Sequence, residues 1–392
     1  MILSSKLQSV SSVVDLGFGD GSLSKAVSRH YPLAYFYMVD IDDSMCDSIE
    51  LFSNKMDIVN ADVTSDSFAN GAKTLAGQFD FSICNPPYEQ IICSDAHRQL
   101  LLQNRFVKTA NMKRLSMAVI FLVYNLMFLK ESGKLSILLP DGILTRKDYQ
   151  PVREDIIENY HIEKIIQVSD NSFEQTEART HIVILSKESI GNKSVSVGQS
   201  DSDGKIIEEI LVAPKGLVNR MDYAYHKWGK GIFYGYPINN PSAIEIKRGH
   251  HSFKELRENG NHPFFHSVDF KDQVSLSFND NKYDSYQNPV IAREGDILMC
   301  RVGKRCVGKI AYVAQGSIIV SDCIYRIRVS AENRMRLIHF FSSSEGKEWI
   351  RIMSHGVCSR VISKIDLQAL LNSICCTHRP LPKIDYSISS IN

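Results

Sequence analysis

The sequence predicts an α/β protein, a mostly parallel sheet with helical crossovers in the first half and a mixed α+β arrangement in the second. Short apolar runs alternate with helix-like segments over residues 12–187, the order expected of a parallel sheet. Glycines, acids and an Asn-Pro-Pro-Tyr stretch fall just past the ends of those runs, where open α/β sheets bind ligands. Charge also changes along the chain. Residues 1–187 hold 18 Lys+Arg against 23 Asp+Glu, and the remainder 27 against 21, so a polyanion would meet the second half.

The first element is a short strand, Ser12-Val13-Val14-Asp15-Leu16, which turns through Gly17-Phe18-Gly19-Asp20-Gly21 into a helix near Ser22. Glycines at 17, 19 and 21 let the backbone pass close to a ligand. A dinucleotide fingerprint would place the third glycine where Ser22 stands, which makes pyrophosphate binding the weaker reading. A second strand, residues 34–39, ends in Asp40-Ile41-Asp42. Asp40 follows Gly19 at about the 20-residue interval of a ribose-binding carboxylate. A third, residues 56–59, precedes Asn60-Ala61-Asp62, and an acid there can accept from an adenine amino group. Taken singly, each acid also reads as a solvated loop charge.

A fourth strand, residues 79–84, runs directly into Asn85-Pro86-Pro87-Tyr88. Two prolines fix φ and remove two donors, so the Asn85 side chain and the Pro86 carbonyl offer acceptor oxygens to one small volume. That volume suits an exocyclic NH₂ group, whose lone pair is delocalised until two acceptors draw the nitrogen toward a tetrahedral shape. Tyr88 supplies a flat face for stacking a base. The plain alternative is a diproline turn beside a half-buried aromatic. A buried helix over 117–129, a glycine turn over 130–134, a strand over 135–139 followed by Pro140-Asp141-Gly142, an amphipathic helix over 149–160, a strand over 165–168 and a hairpin from 171–174 into 180–187 complete the first half.

Together these stretches resemble the catalytic domain of the gamma-class N6-adenine DNA methyltransferases. The resemblance implies a Rossmann-like domain dependent on S-adenosylmethionine, with Asp15, Gly17, Gly19 and Gly21 seating the cofactor, Asp40 on its ribose and Asp62 on its adenine. It implies Asn85, Pro86, Tyr88 and Phe173 as the catalytic set, with Phe173 sandwiching a flipped adenine against Tyr88; buried core packing is the alternative for Phe173. The family usually carries a further cofactor motif ahead of the first strand. Only about a dozen residues precede Val13 here, too few for such a piece; either a partner subunit supplies it, the chain works without it, or the chain is inactive, and any cleavage would need another protein, a nuclease.

The second half resembles a target-recognition domain of the type I restriction specificity subunits. The matching pieces are residues 244–249, 263–268, 294–303, 308–313 and 320–328, a helical stretch over 333–353, and a closing pattern through Gly356, residues 362–367 and Pro380-Leu381-Pro382. Lys304 and Arg305 lie in a glycine-flanked loop and are candidates for contact with double-stranded DNA, phosphate before base, or else a solvated turn. The expected organisation is a catalytic domain over 1–187, a linker over 188–215 and a mixed α+β target-recognition domain over 216–392.

Composition fits a cytoplasmic enzyme. With 392 residues, 44% of them hydrophobic, the chain can bury two cores. Nine scattered cysteines include no CxxC pair, which predicts reduced thiols with neither disulfides nor a metal site. No secretory signal opens the sequence and the most apolar run is too short to span a bilayer. The implied activity is site-specific adenine-N6 methylation of DNA, as the modification component of a restriction-modification or related defence system. Two other classes stay open. One is a protein-glutamine methyltransferase of the release-factor type, which poses the same amide problem but resembles the reverse domain layout. The other is an inactive sequence-specific DNA-binding subunit.

Overall fold

The computed structural model describes residues 9–49, 52–53, 55–169, 179–187, 193–229, 244–258, 262–271, 274–279, 283, 286–303, 305–355 and 360–375. It divides into two units, Met1–His226 and Lys227–Asn392. In the first, β1 (Ser12–Leu16), β2 (Tyr35–Asp40), β3 (Met56–Asn60), β4 (Phe79–Cys84) and β7 (Leu129–Pro140) are joined by helical crossovers that include α1 (Ser22–Ser28), α2 (Asp43–Ser48), α3 (Asp66–Ala72), α4 (Asp95–Gln103) and α5 (Met117–Phe128). A two-stranded ribbon, β5 (Gln90–Ile92) with β6 (Arg114–Ser116), lies between β4 and α5 in the chain. Then come α6 (Asp141–Thr145), α7 (Gln150–Asn159), β8 (His161–Gln167), β9 (Thr180–Ser186), β10 (Val195–Ser200) and β11 (Ile206–Val212).

Nine of these strands form one sheet in the order β11-β10-β8-β9-β7-β4-β1-β2-β3. The Rossmann-like α/β fold expected of the first half is therefore present. β1 pairs in parallel with β2 on one side and β4 on the other, so the chain winds outward in both directions from β1. The crevice between the carboxyl ends of β1 and β4 is the topological switch point, where such sheets bind ligands. β9 runs antiparallel to both β7 and β8.

Burial follows the two-faced logic of the sheet. Val14 and Leu16 join a large core on one face, and Val13, Phe36, Met38, Phe81 and Ile83 a second core on the other. The first core is built on α5, which is apolar all round and buried nearly throughout, as a helix without a polar face must be. Its one strongly polar side chain, Asn125, is fully buried. The amide accepts from Ser82 Oγ at 2.6 Å and donates to the Phe121 carbonyl at 2.7 Å, which satisfies it and locks the helix to β4.

The structure differs from expectation in three places. Residues 130–134, expected as a glycine turn before the strand, are absorbed into β7 with a register shift opposite Phe79/Phe81. A Cβ on Gly133 would come within 3.0 Å of the Phe79 carbonyl, so the chain passes there only as glycine. The segment 188–215, expected as a linker, contains β10 and β11, which extend the sheet through parallel pairing of β10 with β8. Val195, Val197 and Val212 are buried, whereas Glu208 and Glu209 between them are exposed, and a half-buried strand pair of that kind lacks the long apolar run that marks a strand in sequence. The helical stretch 333–353 is two helices, Ala331–Ser342 and Ser344–Met353, with Ser343 capping the second by accepting from Gly346 N at 3.1 Å.

The second unit is mixed α+β. It has a five-stranded sheet of β12 (Glu245–Arg248), β14 (Ser275–Ser277), β16 (Ile297–Cys300), β17 (Ile310–Gln315) and β19 (Ile324–Arg328), ordered β12-β19-β16-β17-β14. A smaller sheet holds β13 (Phe264–Phe265), β15 (Ile291–Arg293) and β18 (Ser317–Val320). Helices Phe253–Glu258 and Lys364–Cys375 join the two already given. Among the described residues no helix is long and apolar enough to cross a membrane.

The Asn125–Ser82 contact yields a stability test. Asn125→Ala should lower the unfolding free energy by about 1–3 kcal/mol, because the Ser82 hydroxyl is left buried and unpaired. The double variant with Ser82→Ala should recover part of that loss in urea unfolding.

Candidate active site

The carboxyl edge of the first sheet gathers Asp15, the Gly17–Gly21 turn, Asp40, Asp62 and the Asn85–Tyr88 loop. Past β1, Gly17, Gly19 and Gly21 take φ of +74°, +55° and +73°, a region that L side chains avoid. The turn is stitched to the end of β2. Gly17 N donates to the Val39 carbonyl at 2.7 Å and Gly19 N to Asp40 Oδ2 at 2.8 Å. A Cβ on Gly17 would sit 3.2 Å from the Phe121 ring, and one on Gly21 would sit 2.6 Å from Ile49. Beside Gly19 the space is open, which leaves its backbone available to a ligand.

Asp15 lies beneath this turn, 1% exposed. Its Oδ2 accepts from Ser24 Oγ at 2.7 Å, while Oδ1 is buried without a hydrogen bond. Burial pushes its carboxyl up to about 7; the Ser24 bond opposes this, and the Asp40 and Asp20 charges add to it. Asp40 also accepts from Asp42 N at 3.0 Å, so each of its oxygens already receives a backbone donor and keeps lone pairs for a further one. Asp62 stands two residues past β3. Its Oδ1 takes both the Thr64 N–H and the Thr64 hydroxyl, at 2.8 and 2.7 Å, which leaves Oδ2 outside both bonds.

Past β4 comes the Asn85–Tyr88 loop. Asn85 is exposed, Pro86 buried and Tyr88 half-buried against the main core. Tyr88 Oη lies 3.4 Å from Asn85 Oδ1, a long contact that a better donor can replace. Burial pushes the Tyr88 phenol up, so it stays neutral. The loop is fastened at both ends. Cys84 Sγ lies 3.1 Å from the Leu16 carbonyl, joining the ends of β4 and β1. Beyond Tyr88, Ser116 Oγ donates to the Tyr88 carbonyl at 3.2 Å and Met117 N to the Glu89 carbonyl at 2.7 Å. Tyr149 Oη clamps the β5–β6 ribbon, accepting from Ser116 N at 2.8 Å and Gln90 Nε2 at 2.9 Å.

One cluster escaped the sequence reading. Asp141, the first residue after β7, holds His181 Nε2 at 3.1 Å, and its own N–H donates to the Arg179 carbonyl. Burial acts against the Asp141 carboxylate, but the His181 bond and the charges of His181, Arg220 and Arg179 overcome it and hold the carboxyl well below the usual range. The Pro140-Asp141-Gly142 pattern was visible, yet its partners lie about 40 residues and more along the chain. Phe173 and Lys304 fall outside the described residues. Arg305 is exposed in the loop between β16 and β17 of the second unit. Among the described residues no group of three or more His, Cys, Asp or Glu is arranged to hold a metal.

Asp15 sets a pH test. Its carboxyl is raised in the folded state, so the fold binds that proton more tightly than the unfolded chain does. The stability this supplies is complete below about pH 4 and lost as pH rises through about 7, each pKa unit corresponding to about 1.4 kcal/mol. Asp15→Asn should therefore melt higher than wild type at pH 8, with the advantage shrinking toward pH 4; a difference in melting temperature independent of pH would contradict the assignment.

The similarities to known proteins follow this geometry. Residues 49–208 match the family model described as N-6 DNA Methylase; the match includes Asp62 and the Asn85–Tyr88 loop, and the glycine turn and Asp40 precede it. The chain is 25% identical over 199 residues to the type I restriction enzyme MpnII methylase subunit of Mycoplasma pneumoniae, covering 46% of this chain and 37% of that protein. It is 28% identical over 147 residues to the modification methylase CviBIII of Paramecium bursaria Chlorella virus NC1A, covering 37% and 35%. The chain thus spans little more than a third of the length of either relative. The solved structure of the type IIG restriction endonuclease BpuSI aligns over 91% of this chain and 55% of its own, at 13% identity and a TM-score of 0.49.

Proposed function

We propose that this chain transfers the methyl group of S-adenosylmethionine to N6 of an adenine flipped out of duplex DNA. One observation carries the reading. The Asn85–Tyr88 loop and the glycine turn stand at the carboxyl ends of adjacent strands, β4 and β1, tied together through Cys84 and Leu16. A methyl acceptor held by one loop would therefore meet a donor held by the other at the switch point.

The residues present fit S-adenosylmethionine. The turn at Gly17–Gly21 leaves backbone open at Gly19, Asp40 and Asp62 keep acceptor capacity, and Asp15 holds a buried oxygen without a partner. When bound, the cofactor supplies an electrophilic methyl on a sulfonium. The chain's own work is to hold and polarise the acceptor. Asn85 Oδ1 exchanges its long contact with Tyr88 for an N6–H bond, and the Pro86 carbonyl takes the second N–H. The nitrogen lone pair is then freed from the ring toward the methyl; the nitrogen would displace the sulfonium sulfur as a neutral thioether and, once methylated, would lose one of its two N–H protons to solvent. Tyr88 stacks the extruded base, with Phe173 assigned to its other face. Fixing both reactants in line supplies much of the rate.

Because one relative is named as a subunit of a type I restriction enzyme, we assign the chain to modification within a restriction-modification system. DNA cleavage is assigned to a partner chain. The second unit, with the more basic share of the sequence, is assigned to DNA recognition, and Arg305 and Lys304 to its phosphate contacts.

Two measurements test the reading. Asn85→Ala should reduce N6-methyladenine formation by about 10²- to 10³-fold while calorimetric binding of S-adenosylmethionine is retained; near-normal methylation by this variant would refute the assignment. Tyr88→Ala should lose about 1–3 kcal/mol of stacking, seen as a smaller rise in 2-aminopurine fluorescence at the target position. Tyr88→Phe should keep most activity, because among the described residues the hydroxyl bonds only Asn85.

A further inference from the structure

We infer that Arg248 and Arg301, two guanidiniums gathered on Asp322 at one end of the five-stranded sheet, grip the phosphate backbone of duplex DNA. The inference rests on the DNA-modifying reading and adds which side chains of the second unit hold the polyanion. In this sheet β12 runs antiparallel to β19, β19 to β16, and β16 to β17. The ends of β12 and β16 and the starts of β19 and β17 therefore meet at one edge, with Arg248 opposite Tyr325 and Cys300 opposite Ile324.

At that edge Arg248 Nε donates to the Asp322 carbonyl at 3.0 Å and Arg248 Nη2 to the Asp322 carboxylate at 3.3 Å. Arg301 Nη1 reaches the same carbonyl at 3.5 Å, its guanidinium 5.9 Å from the centre of the Tyr325 ring. Two cations thus share one residue. Arg305 and Lys309, both exposed, make no ion pair with the described residues. The other carboxylate nearby, Asp366, is engaged by Ser363 Oγ at 2.6 Å.

At the opposite end of the sheet the cations are engaged. There Arg328 forks onto both oxygens of Asp296 at 2.7 and 2.8 Å, and Glu245 takes Arg326 and Lys247. At the Arg248–Arg301 end, by contrast, Arg305 and Lys309 pair with no acid among the described residues. Its ion pair is also the replaceable kind. The Arg248 and Asp322 side chains are 48% and 30% exposed, and such pairs contribute little, whereas a guanidinium accepts phosphate through two parallel bonds. Main-chain carbonyls orient both guanidiniums, which suits contacts that ignore base identity.

The test measures binding of the full-length chain to a labelled mixed-sequence duplex over a salt series, by fluorescence anisotropy. Arg248→Ala and Arg301→Ala should each reduce the slope of log K against log salt by about 1 and weaken all sequences alike. Arg301→Lys should retain the slope, and Asp322→Asn should tighten binding. Melting temperature and S-adenosylmethionine binding monitor the fold. An unchanged slope in a well-folded Arg248→Ala/Arg301→Ala variant would overturn the inference, as would weakening confined to one sequence, or binding to polyglutamate in place of DNA. If the variants lose slope as expected and the wild-type chain transfers no methyl, the inference stands and the methyltransferase reading fails. If the chain methylates DNA and neither arginine alters the slope, the inference alone fails.

Discussion

Parallel pairing of β1 with β2 on one side and β4 on the other is the constraint from which the candidate site follows. A parallel neighbour must end where β1 ends, so the glycine turn, Asp40 and the Asn85 loop are delivered to one edge by topology before any side chain is chosen. The side chains then refine what pairing has brought together. Gly19 N meets Asp40, and Cys84 meets the Leu16 carbonyl. The β5–β6 ribbon and Tyr149 brace the far side of the loop, so an exposed Asn85 stands on a backbone fixed at both ends. Preorganisation of this kind gives acceptor oxygens their effect on a transition state.

Two buried acids on this edge show how environment decides charge. Asp15 and Asp141 are both nearly inaccessible. Asp15 has a single hydroxyl partner and two neighbouring acids, and is pushed toward the neutral form. Asp141 has an imidazole in contact and two arginines in range, and stays ionised. The first is poised to respond to a cation brought near it. The second fastens α6 to the start of β9, the point at which the chain returns after the segment bearing Phe173.

Much of the first unit was legible because its signals are local. The strand-turn-helix of residues 12–28, the acids past β2 and β3, and the wholly apolar α5 each declare themselves within a short window. What escaped depends on distant partners. Tyr149 looked like the first residue of a helix, and only the fold shows its hydroxyl clamping Gln90 and Ser116. Asp141 sat in a visible motif whose meaning required His181 from another strand. The glycine at 133 suggested a turn, whereas long-range pairing with β4 drew it into β7. In the second unit, Arg248, Arg301 and Asp322 lie on three separate stretches of sequence, and only antiparallel pairing brings them to one edge.

The strands β10 and β11 change where this protein can be cut. A boundary after residue 187 looks natural from composition, but β10 is bonded along β8 and β11 along β10. Ending the chain there would leave the backbone donors and acceptors of β8, a strand rich in isoleucine, open to pairing with another copy. β11 protects against that as the native margin, with Glu208 and Glu209 exposed along it; charged side chains on an outermost strand discourage edge-to-edge aggregation. A fragment meant to carry the first unit alone must keep this hairpin and the residues up to His226, or it will carry an adhesive edge of its own making.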